Sequence, residues 1–318
     1  MVNYLRSNLL DSSSPNPSIE TLLHAYLPFK YVDHTHSNAI LSLVNLDNSK
    51  EILNKIYKDK IAIVPYVMPG FELAKLCHMV ISKNHKVEGL MLLNHGIFTF
   101  GNSAKQSYDR MINLVTLAEN FLNKQKKSIK YNNNNKQINI TDVQLCIRNL
   151  YHSFTDKRWI IKFNDKIEDV KFTNRKDIFN LFNKGPVTPD HVIRIKSEPL
   201  IIPNKHLSSS KMISNHFNAY IKKYKNYFKK YKKNITNSKI ADPLPRIIIL
   251  EGIGFLSIGL NKKEMQVSYD IFDAMKKVII KANLVSKFKS INNTDIFKME
   301  YWPLERAKLN NQNTKKFN

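Results

Sequence analysis

Cysteine is scarce in this sequence, since Cys77 and Cys146 are the only two in 318 residues. They stand far apart and form no Cys-x-x-Cys pair, so a disulfide framework is not indicated. No apolar run approaches the roughly 20 residues that a membrane-spanning helix needs, and no charged-then-apolar leader opens the chain. These absences predict a protein without a membrane partner, in a reducing, cytoplasmic compartment.

Acidic residues are also few, with 26 Asp and Glu against 50 Lys and Arg, which gives a net charge of +24. A basic surface can bind nucleic acid through the phosphates, and such binding weakens steeply with salt. Here, however, the basic residues are spread along the chain, and Lys, Asn and Ile are abundant throughout, as an AT-rich coding bias would produce. We favour compositional bias and expect no nucleic-acid partner.

Length and patterning predict about two domains of α/β type. The predicted boundaries are 1–123 for a first module, 124–136 for a Lys/Asn-rich linker, 137–309 for a second module, and 310–318 for a disordered tail. Strands are expected at Ile61–Val67, within Glu88–Phe100, at Trp159–Phe163 and at Arg246–Leu250. Helices are expected at Lys50–Tyr57, Phe71–Ser82, Asn102–Asn123, Lys176–Phe182, Ile221–Lys233 and Lys262–Ala282.

The second module repeats the layout of the first. Leu92–Gly101 aligns with Leu250–Gly259, and in that alignment His95 corresponds to the apolar Ile253. The second copy is therefore predicted to be a structural unit without a metal site. Its glycines at 252 and 254 do not make a dinucleotide-binding fingerprint, because the third glycine that opens a helix is missing.

Three histidines are the candidate metal ligands. A short strand through Tyr31–His36 would place His34 and His36 on one face, about 6.6 Å apart at about 3.3 Å per residue. His95 follows the apolar run Gly89–Leu93, where the chain breaks into a glycine turn. Three histidines with an open fourth position are typical of a catalytic rather than a structural zinc site. Each histidine alone is more simply explained as an ordinary core or surface residue.

A helix over Ile19–Leu27 is predicted, with Ser18 as its N-cap and Glu20 in its first turn. The free N–H groups of such a turn can hold an anion, so Ser18 could contact a phosphate. Glu20 alone would be an ordinary first-turn acid. His24, one turn further on, could orient Glu20, although a packing or capping role is the simpler interpretation.

These motifs resemble the class II aldolase/adducin family. The matching stretches are PSIETLLHAYLPFKYVDHTH, IAIVPYVMPGFELAKLC and GLMLLNHGIFTFG. Three further stretches, GPVTPDHVIR, PRIIILEGIGFLSIG and DIFKMEYWPLERAKL, resemble the aldolase part of bifunctional rhamnulose-1-phosphate aldolase/short-chain dehydrogenase proteins. The family's phosphate-binding segment with its GGNTS-like motif would precede Met1, and the dehydrogenase would follow the last residue. We therefore expect that this chain is the middle of a longer enzyme.

The resemblance implies a three-layer α/β/α fold with a mostly antiparallel central sheet, followed by a second, degenerate aldolase-like module. It implies that Zn²⁺ or another divalent metal is held by His34, His36 and His95, with Glu20 as the catalytic acid/base and Ser18 in the phosphate loop. The expected reaction is cleavage of a ketose 1-phosphate to dihydroxyacetone phosphate and an aldehyde, as in rhamnose catabolism.

The expected partners are a phosphorylated sugar, further copies of this chain in a homo-oligomer, and an upstream segment and a dehydrogenase domain on separate chains. The alternative is a catalytically inactive, adducin-like interaction or structural module. The three retained histidines argue against it.

Overall fold

The computed structural model describes residues 2–133, 138–234 and 239–310. Contacts divide the chain into two compact units. The first contains the residues up to Val44 together with Asn48–Lys124, and the second contains Asn45–Asp47 together with the residues from Gln125 onward. Residues 134–136 of the predicted linker and 311–318 of the predicted tail lie outside the described residues. Among the helices described, none is both long and apolar enough to cross a bilayer.

The first unit is built around one four-stranded sheet with helices on both faces. In its described part the elements are, in chain order, α1 (Val2–Ser7), α2 (Thr21–Tyr26), β1 (Tyr31–Thr35), α3 (Asn38–Val44), α4 (Ser49–Tyr57), β2 (Ile61–Val64), α5 (Phe71–Lys83), β3 (Gly89–Leu92), β4 (Gly96–Gly101) and α6 (Ala104–Asn123). The strand order is β1-β4-β3-β2. The β1–β4 and β3–β4 pairs are antiparallel and the β2–β3 pair is parallel.

Alternate residues of the central strands enter two different cores. Leu90 and Phe98 pack with residues of α2 and α5 in one apolar cluster. On the other face Thr99 is fully buried and donates a hydrogen bond from Oγ1 to the carbonyl of Ser107 in α6, at 3.0 Å. Because side chains alternate along a strand, one sheet separates two helical layers. The predicted three-layer α/β/α fold with a mostly antiparallel sheet is confirmed.

The second unit has the same strand arrangement. In its described part the elements are α7 (Ile140–Phe154), β5 (Ile160–Asn164), α8 (Ile167–Thr173), α9 (Ile178–Leu181), α10 (Val192–Ile195), β6 (Leu200–Ile202), α11 (Ser210–Tyr231), β7 (Ile247–Leu250), β8 (Gly254–Gly259), α12 (Lys262–Val285), α13 (Asn293–Tyr301) and α14 (Pro303–Asn310). The strand order is β5-β8-β7-β6, with β6–β7 as the parallel pair. The predicted repeat is confirmed at its hairpins, since Leu92 pairs with Gly96 and Leu250 pairs with Gly254.

Two short extended segments add antiparallel pairs to the second unit. Residues 130–132 pair with residues 174–176 through backbone hydrogen bonds of 2.9 and 3.0 Å, around a bridge between Tyr131 and Arg175. Residues 45–47 pair in the same way with residues 287–289, through hydrogen bonds of 2.8 and 3.1 Å. Residues 130–132 of the predicted linker are thus hydrogen-bonded to residues 174–176 of the second unit.

Several elements differ in length from the sequence prediction. Strand β2 ends at Val64, before Pro65, which has no N–H for a sheet hydrogen bond. Helix α11 starts at Ser210, eleven residues before the predicted start at Ile221. Its predicted aromatic stripe is confirmed, since Tyr224 is buried and the other members are half-buried, namely Tyr220, Tyr227, Phe228 and Tyr231.

Candidate metal centre

The candidate site lies where β1 and the β3–β4 hairpin end next to one another. In the antiparallel register His34 faces Phe98 and Thr35 faces Ile97. His95 occupies the turn between β3 and β4, so the same register brings it to the end of β1. Strand β1 stops at Thr35, one residue short of the predicted strand, so His36 lies just beyond its end. Sheet pairing places all three histidines at one edge of the sheet.

Ring nitrogens and one carboxylate converge at this edge. The Nε2 atoms of His34 and His36 are 3.0 Å apart. Glu20 Oε1 lies 2.7 Å from His95 Nε2 and 3.5 Å from His34 Nε2. One ligand atom from each of these four residues lies within 4.8 Å of the other three. Three imidazoles and a carboxylate at such separations form a donor set of the kind that binds divalent cations.

Glu20 reaches the histidines from a helix start that differs from the prediction. Helix α2 begins at Thr21 with Glu20 at the N-cap position, so the prediction of Ser18 as N-cap was wrong. Instead Ser18 is exposed, and its Oγ accepts a hydrogen bond from the Glu20 N–H at 3.0 Å. A serine that bonds the backbone two residues on forms a local turn rather than a helix cap. This turn holds the Glu20 backbone at the N-terminus of α2.

The electrostatics of Glu20 favour the ionised carboxylate. Burial raises its pKa, but hydrogen bonds and charge interactions with His34 and His95 outweigh burial and lower the pKa below the usual value of 4.5. At neutral pH Glu20 therefore carries a negative charge, so it can accept a proton or bind a cation.

The orientation of the His34 ring is fixed by contacts that sequence analysis did not identify. Its Nδ1–H donates to the carbonyl of Ile97 at 2.8 Å, which leaves the Nε2 lone pair for the site. Phe98 stacks on the same ring, with centroids 3.9 Å apart and planes inclined by 9°. His24 contacts the edge of Phe98 at a centroid distance of 5.4 Å, which fits its predicted packing role. The feature of the sequence that could have pointed to Phe98 is its position two residues after Gly96.

Gly96 makes room for the histidines. A Cβ atom at this position would lie 2.7 Å from the carbonyl oxygen of Thr35, 2.9 Å from a carbon of the His36 ring and 3.2 Å from one of the His34 ring. No real side chain fits at such distances without moving its neighbours. The glycine of the turn is thus required by the site itself.

We expect Gly96→Ala to weaken metal binding by displacing the His36 ring, and to lower the free energy of unfolding by about 1–3 kcal/mol through overpacking. The matched control is Gly89→Ala in the same sheet, where the added Cβ would lie 2.7 Å from the carbonyl oxygen of Phe98 and meet no histidine. Both variants should lose stability in thermal unfolding, but Gly96→Ala alone should need more metal for half-saturation in a titration. Equal metal affinity in the two variants would contradict this role for Gly96.

No corresponding cluster occurs in the described part of the second unit. Groups of three or more His, Cys, Asp or Glu side chains close enough to hold a metal were found among the described residues at Glu20, His34, His36 and His95 only. In the equivalent strand registers Phe163 takes the place of His34, and Ile253 stands in the turn where the first unit has His95. Both are packed against the apolar core of that unit.

Comparison with known families agrees with the fold. The sequence profile of the Class II Aldolase and Adducin N-terminal domain matches residues 1–122, and that of the Aldolase class II second domain matches residues 139–309. Together these profiles cover nearly the whole chain. The chain belongs to the class II aldolase/adducin family. Class II aldolases generally depend on divalent metals.

A longer bacterial protein matches nearly the whole of this chain. The chain is 31% identical over 324 residues to YuxG of Bacillus subtilis strain 168, described as an uncharacterized oxidoreductase, and the match covers 97% of this chain and 46% of YuxG. This chain thus spans about half the length of that relative.

Solved structures give shorter matches. An N-terminal class II aldolase domain from Thermoplasma acidophilum is 44% identical, with 38% of this chain and 55% of that chain covered and a TM-score of 0.35. An aldolase II superfamily protein from Pseudomonas syringae is 16% identical, with 36% and 50% covered and a TM-score of 0.29.

Proposed function

We propose that this chain is a zinc-dependent aldolase that cleaves a ketose 1-phosphate of the rhamnulose-1-phosphate type to dihydroxyacetone phosphate and an aldehyde. The observation that carries the proposal is the convergence of His34, His36, His95 and Glu20, whose ligand atoms lie within 4.8 Å of one another. Family membership supports the reaction class, and the donor set supports the metal.

The spacing of the donor atoms fits zinc. Two ligands of a tetrahedral zinc, each about 2.0–2.1 Å from the ion, lie roughly 3.3 Å apart. The separations of 2.7 Å between His95 and Glu20, 3.0 Å between the His34 and His36 nitrogens and 3.5 Å between His34 and Glu20 lie on either side of that value. The His34 Nδ1–H bond to a backbone carbonyl is also typical of metal-bound histidines. The residues present therefore fit a zinc ion.

In this proposal the three histidines hold the cation, and Glu20 carries out the proton transfer. A bound divalent cation supplies Lewis-acid stabilisation of the negative charge that develops on the substrate oxygens as the C3–C4 bond breaks. In the cleavage direction Glu20, ionised and half-buried beside His95, would accept the proton of the C4 hydroxyl and then deliver it to C3, the carbon that becomes nucleophilic. Without substrate, the same carboxylate could serve as a further ligand of the metal.

Ser18 is proposed to contact the substrate phosphate. Its Oγ accepts the Glu20 N–H, so its own O–H remains able to donate to an anion, and the residue is exposed. A phosphate bound there would lie two residues from the proposed acid/base. The rest of the phosphate site would be supplied by an upstream segment, and further copies of this chain would form a homo-oligomer.

The oxidoreductase named in the Bacillus relative suggests a second activity in a longer protein. Since this chain matches 46% of that relative, we propose that the redox activity belongs to a dehydrogenase domain in the unmatched part. Such a domain would oxidise or reduce the aldehyde or a related product of the aldol step.

An aldol-cleavage assay tests the proposal. The chain, loaded with one equivalent of zinc, would be incubated with L-rhamnulose 1-phosphate and with other ketose 1-phosphates, and dihydroxyacetone phosphate would be measured by a coupled reductase. We expect product from at least one ketose 1-phosphate and none from the non-phosphorylated sugars. Full zinc occupancy without turnover of any substrate, also when the proposed upstream segment is added, would favour the adducin-like module instead.

A further inference from the structure

The second unit contains a cavity with a strong excess of positive charge. Its volume is about 340 Å³, and its basic lining residues are Lys127, Lys130, Arg175 and Lys176. Asp177 is the one acidic residue among the lining residues, so the lining carries a net charge of +3 (four basic minus one acidic). A cavity of this charge needs an explanation, because uncompensated like charges repel one another.

Backbone pairing places two of these lysines directly opposite each other. Residues 130–132 and 174–176 form an antiparallel pair in which the Lys176 N–H donates to the carbonyl of Lys130 at 3.0 Å. Directly opposed residues of such a pair have Cβ atoms about 5.5 Å apart, and like charges at that position are destabilising. Both lysines are exposed, so the pairing holds two like charges side by side where the cavity meets solvent.

Carboxylates within the protein do not relieve that repulsion. Neither Lys130 nor Lys176 forms an ion pair with any acidic side chain of the residues that the structure describes. Asp177 is already engaged, since Arg175 donates to its two oxygens at 2.8 and 2.7 Å. These hydrogen bonds, together with the nearby charge of Lys127, lower the pKa of Asp177 despite partial burial.

The remaining lining groups suit an organic ligand rather than a bare ion. Ile129, Ile280 and Leu284 provide apolar surface, and Ser128, Asn180 and Asn283 provide hydroxyl and amide groups. Lys127 is anchored by a 3.4 Å hydrogen bond to the carbonyl of Asn283, which keeps its ammonium at the edge of the cavity.

We propose that this cavity binds a small organic molecule with two phosphoryl groups, separately from the metal centre in the first unit. A phosphoryl group carries about −1.5 to −2 charges at pH 7, so two of them balance a lining of +3. Lys130 and Lys176 bind the phosphoryl oxygens, and the apolar residues contact the carbon skeleton.

Calorimetric titration with inorganic pyrophosphate tests the proposal on the full chain at low ionic strength. Wild type is expected to bind with one site, and Lys130→Ala/Lys176→Ala is expected to bind at least about tenfold more weakly, since hydrogen bonds to charged groups are lost. The matched control is Lys222→Ala/Lys225→Ala, which removes two exposed lysines from α11 at a distance in sequence from the cavity. Thermal unfolding of both variants checks that they fold.

The metal centre provides the second control. His95→Ala should bind pyrophosphate with the affinity of wild type, because the cavity lies in the other unit. The proposal is overturned if all lysine variants bind equally, or if His95→Ala loses binding while Lys130→Ala/Lys176→Ala keeps it. Those results would place the anion elsewhere on the basic surface or at the metal centre.

Discussion

Replacement of His95 by alanine is expected to lower zinc affinity more than about a hundredfold, so that the purified variant no longer contains stoichiometric metal. Even residues that only orient metal ligands typically change affinity by about 10–100-fold, and a direct ligand should have a larger effect. His95 is buried, and its Nε2 lies 2.7 Å from the Glu20 carboxylate, at the centre of the cluster. Metal content by mass spectrometry after dialysis measures the effect.

The matched control is His85→Ala, which removes an exposed histidine from the same unit. It should retain the wild-type metal content. Stability gives a second readout, since a ligand at a hundred times its dissociation constant stabilises the fold that binds it by about 2.7 kcal/mol. Zinc should therefore raise the melting temperature of wild type and of His85→Ala, but not that of His95→Ala. Stoichiometric zinc in His95→Ala would refute the assignment of this ligand.

Replacement of Glu20 by glutamine is expected to reduce kcat by about 10²–10⁴-fold, the range usual for loss of a general acid or base. Glutamine keeps the shape and the hydrogen bond to His95 but cannot accept a proton. The pKa of Glu20 is lowered by its contacts with His34 and His95, so the native residue is a carboxylate throughout the neutral range. The variant should keep its zinc and a KM within a few-fold of wild type.

Glu88→Gln serves as the control for Glu20→Gln, because Glu88 is a half-exposed carboxylate of the same unit whose ion pair with Lys60 spans 3.9 Å. Its kcat should equal that of wild type. If Glu20→Gln lost zinc but recovered the wild-type kcat when excess zinc was added, Glu20 would be a metal ligand rather than the proton-transfer group. Steady-state kinetics and metal analysis on the same preparations separate these two roles.

The periodic parts of the fold were predictable from the sequence. Long helices such as α6 and α12 and the repeated hairpins followed directly from hydrophobic spacing and glycine turns. The early start of α11 was missed, although Ile213 and Phe217 continue its buried stripe at helical spacing. Asn, Ser and His in that stretch are poor helix formers, and burial of the stripe outweighs their propensity.

Local turn chemistry was harder to predict. Ser18 precedes a helical pattern and has the side chain of an N-cap, yet the structure uses it to bond the Glu20 N–H while the helix begins at Thr21. A serine can satisfy either geometry with little difference in free energy, so sequence could not decide between them. The consequence is functional, because the turn brings Glu20 toward the histidines.

The candidate ligands, the α/β class and the repeat could all be predicted from the sequence, because each follows from the spacing of residue types along the chain. Only the tertiary structure decided that Glu20 meets His95, 75 residues later in the chain, since that contact depends on how α2 approaches the sheet. The tertiary structure also sets the hydrogen bond from His34 Nδ1–H to the Ile97 carbonyl, which fixes the tautomer of His34. It likewise places Lys130 and Lys176 opposite each other in an antiparallel pair. Strand register creates both, and register is a property of paired segments that neither segment contains alone.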